Sequence, residues 1–404
     1  MLSKKWMTLA VIATAFTIAS CNKDQLKNTT PAVQQTQSEA SMKNMVAENG
    51  ANPDERMLTD GTAMMQEGYV YTESNNAAQN SIYIYKQHSD GTLSFVKSVA
   101  SGGAGAGAGL GSQGALALDK QHQWLYAVNA GDNSVSSFKV GNDGDLTLAH
   151  TINSGGVMPI SVTVHDHWLY VVNSMSANIC GFSIDMDGML SKIANSGQSL
   201  SSSNAAPAQI KFHPSGKALF VTEKGTNKIA VFALDAQGVA SPGVFNNSVG
   251  QTPFGFEFAR ANNYLIVSNA VGGAMNAGSC SSYATDDNGN VSVIRGEVKN
   301  NQSAPCWVMP TRYGRFAYVT NTGSNTISSY YVSPDGGIFH LFFAKTAAGA
   351  APADLIVSGN DLYVYNVNGM SHSLGQYKRG PLGTLKWIGE MQGLPTYAAG
   401  LVAY

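Results

Sequence analysis

Leu125-Tyr-Ala-Val-Asn129, Leu169-Tyr-Val-Val-Asn173 and Leu219-Phe-Val-Thr-Glu223 are three renderings of one phrase, and its reading decides the fold. The phrase also returns as Tyr69-Val-Tyr-Thr-Glu73, Leu265-Ile-Val-Ser-Asn269, Ala317-Tyr-Val-Thr-Asn321 and Leu362-Tyr-Val-Tyr-Asn366, seven copies in all. Their first residues are 56, 44, 50, 46, 52 and 45 positions apart, the period of propeller blades with loop insertions. Each copy is rich in β-branched and aromatic residues, as a buried strand requires.

The surroundings repeat too. An alternating run opening at a proline precedes most copies, such as Pro159-Ile-Ser-Val-Thr-Val164, and a second alternating run follows, such as Asn133-Ser-Val-Ser-Ser-Phe-Lys-Val140. Then comes a tight hairpin signal, Asp90-Gly91, Asp143-Gly144, Asp187-Gly188 or Asp335-Gly336, because positive φ angles at such pairs match the strand twist. A looser fourth run completes the unit. The reading is all-β: a seven-bladed β-propeller with four antiparallel strands per blade over residues 69–404. The first copy lacks a proline-led partner, while a surplus run from Pro395 to Ala403 ends the chain. Placed as the innermost strand of blade one, this C-terminal strand closes the ring and removes its exposed edges.

Residues 1–20 read as a signal segment, with Lys4 and Lys5 ahead of a short apolar stretch. Ile18-Ala19-Ser20-Cys21 resembles the bacterial lipobox, which implies a lipidated Cys21, a polar tether over 21–68, and a cell-envelope location for the anchored body, with Asn22 favouring the outer membrane. Loss of both lysines takes the formal charge from -2 to -4. The tether, treated as a coil, reaches roughly 35 to 40 Å. Charged residues make up 12% of the chain, against roughly 25% in an ordinary domain. No basic stripe offers itself to nucleic acid. A monomer is expected, touching the membrane through the anchor alone.

The phrases FHPSGKALFVTEKGTNKIAVF and RFAYVTNTGSNTISSYYVSPDGG resemble the lactonase family of seven-bladed propellers, which includes bacterial 6-phosphogluconolactonases and carboxymuconate cyclases. The resemblance implies an active centre at the starts of first strands and the ends of second strands. Where the family carries a histidine this chain has Gln209; where it carries two arginines it has Ala270 and Cys306; its acid is matched by Glu223. Of the six arginines, none falls at a loop facing the top of the channel, the face bearing the second-to-third and fourth-to-first connections. A phosphorylated lactone is therefore disfavoured.

Strand ends converging on that opening give a ring of Glu73, Asn129, Asn173, Glu223, Asn269, Asn321 and Asn366, with Gln209 and Lys224 beside it. Such a ring suits a small molecule, glycan or protein ligand, while asparagines there also serve simply to satisfy turn backbone. The two readings are a binding module at this pocket and a lactone hydrolase with Glu223 as general base. No cofactor or dedicated metal site is expected, though Glu73 and Glu223 across one opening permit an oxygen-ligated cation. The Gly-rich stretches Gly102 to Gly114 and Val271 to Ser279 read as mobile top-face loops, together a lid. His165-Asp166-His167 reads as a surface turn. Cys180, Cys280 and Cys306 are expected as buried thiols, with Cys280–Cys306 the pair if one bridge forms.

Overall fold

A computed structural model describes residues 67–260 and 264–404, so the signal segment, Cys21 and nearly all of the tether lie outside the described residues. Seven antiparallel sheets follow one another along the chain. Blade four is typical: Pro207–Phe212, Ala218–Glu223, Lys228–Ala233 and Val244–Asn247, paired in that order from the axis outward. The fourth position of blade three is shared by two short strands, Leu190–Lys192 and Gln198–Ser199. Innermost strands touch their neighbours all the way round, and Ala399–Ala403 fills the gap between blades seven and two by pairing with Gly68–Glu73. The C-terminal closure read from the surplus strand is thus present.

Hairpin glycines show why the Asp-Gly signals recur. Gly144 (φ 73) and Gly91 (φ 84) lie against the rings of Tyr69 and Tyr363 in adjoining blades. Their carbonyls accept the hydroxyls of Tyr71 at 2.8 Å and Tyr365 at 2.9 Å. A side chain at either glycine would meet both a disfavoured φ and an occupied ring.

A second recurring device shapes the top. The residue before each opening proline, Met158, Ala206, Thr252, Ala304 or Ala351, has a positive φ between 45° and 62°. This left-handed turn aims its carbonyl at the N–H just beyond the neighbouring strand end: Ser174 to Met158 at 2.8 Å, Lys224 to Ala206 at 3.1 Å, Thr322 to Ala304 at 3.0 Å. In six blades the inner strand then slips by one residue against its partner. A bulge of this kind bends a strand and re-aims the next side chain.

Pairing corrects one strand end. Pro352 faces Asn368 as Pro305 faces Asn321, so the seventh equivalent is Asn368 rather than Asn366. A two-residue slip keeps every side chain on its face, and Leu362-Tyr-Val-Tyr-Asn366 and Val364-Tyr-Asn-Val-Asn368 satisfy the same pattern. Cys180 and Cys280 are buried free thiols, which rules out the Cys280–Cys306 pairing.

Candidate functional site

The predicted ring is wholly buried: Glu73, Asn129, Asn173, Glu223, Asn269, Asn321, Asn366 and Asn368 are each 0% exposed. The asparagine amides are spent on the adjoining third strand. Asn129 donates to Ser134 and Ser136 at 3.0 and 2.8 Å, Asn269 to Ser279 and Ser281 at 3.1 and 2.8 Å, and Asn321 to Thr326 and Ser328 at 3.0 and 2.9 Å. Asn173 is bonded to Ser154 instead. These strand ends secure their own turns.

Glu223 is similarly engaged. Its Oε1 accepts the Ser201 N–H at 3.0 Å, and its Oε2 accepts the hydroxyls of Ser201 and Thr226. The carboxylate therefore clamps the loop entering blade four to the turn leaving its second strand. Because charge-assisted hydrogen bonds are the stronger kind, Glu223→Gln is expected to cost about 1.5–3 kcal/mol of stability, read as a lowered midpoint in denaturant titration. Gln209 Oε1 accepts the Phe256 N–H at 2.8 Å, while Ala270 and Cys306 are buried in apolar packing.

Glu73 differs from Glu223. One carboxylate oxygen takes the Asn80 amide at 3.1 Å, and the other has no hydrogen-bond partner although it is buried. Burial, and secondarily the nearby Asp354 carboxyl, push its pKa well above the usual range. Asp354 accepts the Gly400 N–H at 3.1 Å, and burial raises its pKa to about 7.

The channel top is filled by the chain itself. The Gly-rich stretch predicted to be mobile is tied down: Ala106 N donates to Asn75 Oδ1 at 2.7 Å, Asn75 Nδ2 to Ala108 O at 2.6 Å, and Gly131 N to Ala104 O at 2.9 Å. Its last part, Leu110 to Gly114, runs into the channel as a strap. There Gln113 N donates to Ala208 O at 2.9 Å on blade four, and its carboxamide meets the Val308 backbone on blade six. Trp307 Nε1 donates to Ser112 O at 2.8 Å, and Ser112 Oγ to Ile160 O at 2.8 Å. The second predicted lid segment stands apart, with open space around Gly272 and Gly273.

Lys224 borders this strap. Its N–H is held by Ala206 as described, its ammonium donates to Gly111 O, and it lies 4.9 Å from the centre of the Phe254 ring. Phe254 in turn packs on Trp307 with ring centres 5.1 Å apart. The residue is half-buried with its amine between the Phe254 ring and Gly111 O, and burial lowers its pKa to about 7. No carboxylate pairs with it among the described residues, so desolvation is uncompensated. Sequence reasoning had Lys224 only as a neighbour of the ring; the surroundings of its amine depend on a strap from more than 100 residues away.

The described arginines stay away from this centre. Arg379 is buried with Asp361, bonding its carbonyl at 2.7 Å and its carboxylate. Arg260 and Arg315 lie against Tyr331, and Arg295 against Phe339. Among the described residues no group of three His, Cys, Asp or Glu side chains is arranged to hold a metal, and His165 bonds Pro214 O in the corresponding turn of the next blade.

The fold and this axial centre define a seven-bladed propeller of lactonase type. The family model for the seven-bladed β-propeller lactonases matches residues 68–203 and 168–277, more than half the chain, and the protein belongs to that family. No curated protein matches it significantly. Among solved structures it is similar to a candidate 6-phosphogluconolactonase from Bacteroides uniformis, with TM-score 0.70, 18% identity, and coverage of 84% of this chain and 100% of that one. It is also similar to a periplasmic gluconolactonase from Pseudomonas aeruginosa, with TM-score 0.67, 16% identity, and coverage of 84% and 99%. At such identities the likeness is one of fold.

Proposed function

We propose that the protein is a lactone hydrolase working at the top-face centre on an uncharged lactone, with Lys224 rather than Glu223 as the base. The observation that carries this reading is the Lys224 amine, enclosed beside the axis with a pKa of about 7. An amine at that pKa is in large part unprotonated at neutral pH, the condition for general-base catalysis. It takes a proton from water as the water adds to the lactone carbonyl, and the resulting ammonium returns that proton to the ring oxygen as the bond from that oxygen to the carbonyl carbon breaks, leaving a hydroxy acid that ionises in solvent. Glu223, whose oxygens already accept three hydrogen bonds, holds the turn that presents Lys224. Family membership and the gluconolactonase neighbours support the reaction class. The placement of the described arginines supports an unphosphorylated substrate, since a phosphate favours a forked guanidinium.

A binding module for a small molecule, glycan or protein is the second reading, favoured by the strap that fills the axis. A lactone panel separates the two. Turnover of D-glucono-1,5-lactone well above that of its 6-phosphate supports the hydrolase, and binding without turnover supports the module.

We also propose that the body is lipid-anchored at Cys21 in the cell envelope. The described chain enters at Gly68, beside the hairpin after Gln87, which is the face opposite Lys224. Metabolic labelling with a fatty-acid probe, lost in Cys21→Ser, tests the anchor.

A further inference from the structure

Inner strands are stitched to their neighbours by side chains, and the stitching has a gap. Ser161 Oγ accepts the Ile210 N–H at 3.1 Å, Gln209 Oε1 the Phe256 N–H at 2.8 Å, and Asp354 Oδ2 the Gly400 N–H at 3.1 Å, each reaching from one blade to the next. The equivalent residue of blade five is Gly255, which has no side chain to reach Val308 on blade six. Val308 is satisfied all the same. Gln113 Oε1 accepts its N–H at 3.0 Å, and Gln113 Nε2 donates to its carbonyl at 2.8 Å. There is no room at residue 255 for a side chain beside this visitor, because a Cβ there would lie 2.1 Å from Gln113 Oε1 and 2.6 Å from the Cys306 carbonyl oxygen.

A donor and an acceptor on one residue, side by side and turned to the axis, form a recognition element. Left empty, both groups would be buried and unpaired, which is costly. We propose that the Val308 backbone pair, with Gly255 beneath it and Phe254 and Trp307 beside it, is a ligand-binding notch for a group bearing an acceptor next to a donor, and that Gln113 occupies it as an intramolecular stand-in. This rests on the reading of the top-face centre as the substrate site. The ligand class follows from the pairing. A plain lactone brings acceptors alone and leaves the Val308 carbonyl unpaired. A hydroxylated lactone, with its carbonyl on the N–H and a neighbouring hydroxyl on the C=O, satisfies both, as does a lactam or a primary carboxamide. Entry requires Gln113 to leave, and Gly111 (φ 57) and Gly114 (φ 81) flank the segment that moves.

Chemical rescue tests the notch without any need for turnover. Thermal unfolding midpoints of the full chain and of Gln113→Ala are measured with propionamide, with D-glucono-1,5-lactam, and with N,N-dimethylacetamide, which accepts but cannot donate. The variant is expected to unfold at lower temperature and to regain part of the loss with propionamide or the lactam, less with dimethylacetamide, while the parent, whose Gln113 competes for the notch, responds less. A ligand that binds only the folded variant must raise its midpoint, so equal responses of parent and variant, or none in a folded variant, overturn the proposal. If Gln113→Ala does not fold, Gln113→Asn, whose carboxamide is one methylene too short to meet both Val308 groups, takes its place in the same titrations. A larger rise of its midpoint than the parent's with propionamide or the lactam supports the notch, and equal responses contradict it.

Discussion

A chain ending at Ala398 is expected to lose cooperative folding altogether. The missing segment supplies the innermost strand of blade one: Tyr69 and Tyr404 exchange backbone hydrogen bonds at 3.2 Å in both directions, and Thr72 Oγ1 bonds Ala399 O at 3.2 Å. Tyr404 also stacks on His122 and Tyr71, with ring centres 5.0 and 6.1 Å away. Without it, Gly68–Glu73 becomes an unpaired inner edge beside the channel, and the first and last blades are held to one another only through side chains. An exposed edge of that kind templates aggregation. The expected outcome is insoluble expression, or a soluble species with a broad, non-cooperative thermal transition, measured by circular dichroism. A sharp transition within a few degrees of the parent would show that the seam is not structural.

Replacing Asp354 by Asn is expected to stabilise the protein at alkaline pH and flatten its pH dependence. Burial raises the Asp354 pKa from 3.8 to about 7. Between those values the folded state holds a proton that the unfolded state has released, so stability falls as pH rises from about 4 to about 7 and stays low above. A shift of that size corresponds to roughly 4 kcal/mol. Asparagine retains an oxygen for the Gly400 N–H and carries no charge at any pH. Below pH ~4 the variant and parent are expected to be nearly equal, and at pH 8 the variant should be the more stable by several degrees. Glu73, whose pKa is raised by burial and by Asp354, leaves a residual slope of the same sign. A variant as pH-sensitive as the parent would mean that Asp354 is solvated at the axis.

Much of the architecture was legible because its cause is local and repeated. Seven strand phrases, the Asp-Gly turns and the surplus Pro395 run each express a backbone requirement within a few residues. The site was less legible because its contacts join distant segments. Glu223 looked like a free base, yet Ser201 and Thr226 occupy it. Gly102 to Gly114 looked mobile, since glycine content reports the freedom of a chain in isolation and not the partners it finds. Two signals did point to the strap. Gln113 stands twelve residues ahead of Leu125, as Pro207 stands ahead of Leu219 and Pro253 ahead of Leu265, and Gly255 stands where sibling blades carry Ser161, Gln209, Trp307 and Asp354. The Asn366 slip shows the limit of pattern alone, because a shift of two residues leaves a period of two unchanged.

The pH-rate profile for an unphosphorylated hydroxylated lactone, compared between the parent and Lys224→Met, bears most directly on the claim that this enclosed amine is the base. In the parent, kcat/KM is expected to climb tenfold per pH unit below about 7, the pKa to which burial lowers Lys224, and to level off above it. In Lys224→Met that limb should vanish with a loss of ~10²-fold or more at the plateau. A folded Lys224→Met enzyme that keeps both the rate and the inflection would contradict the account.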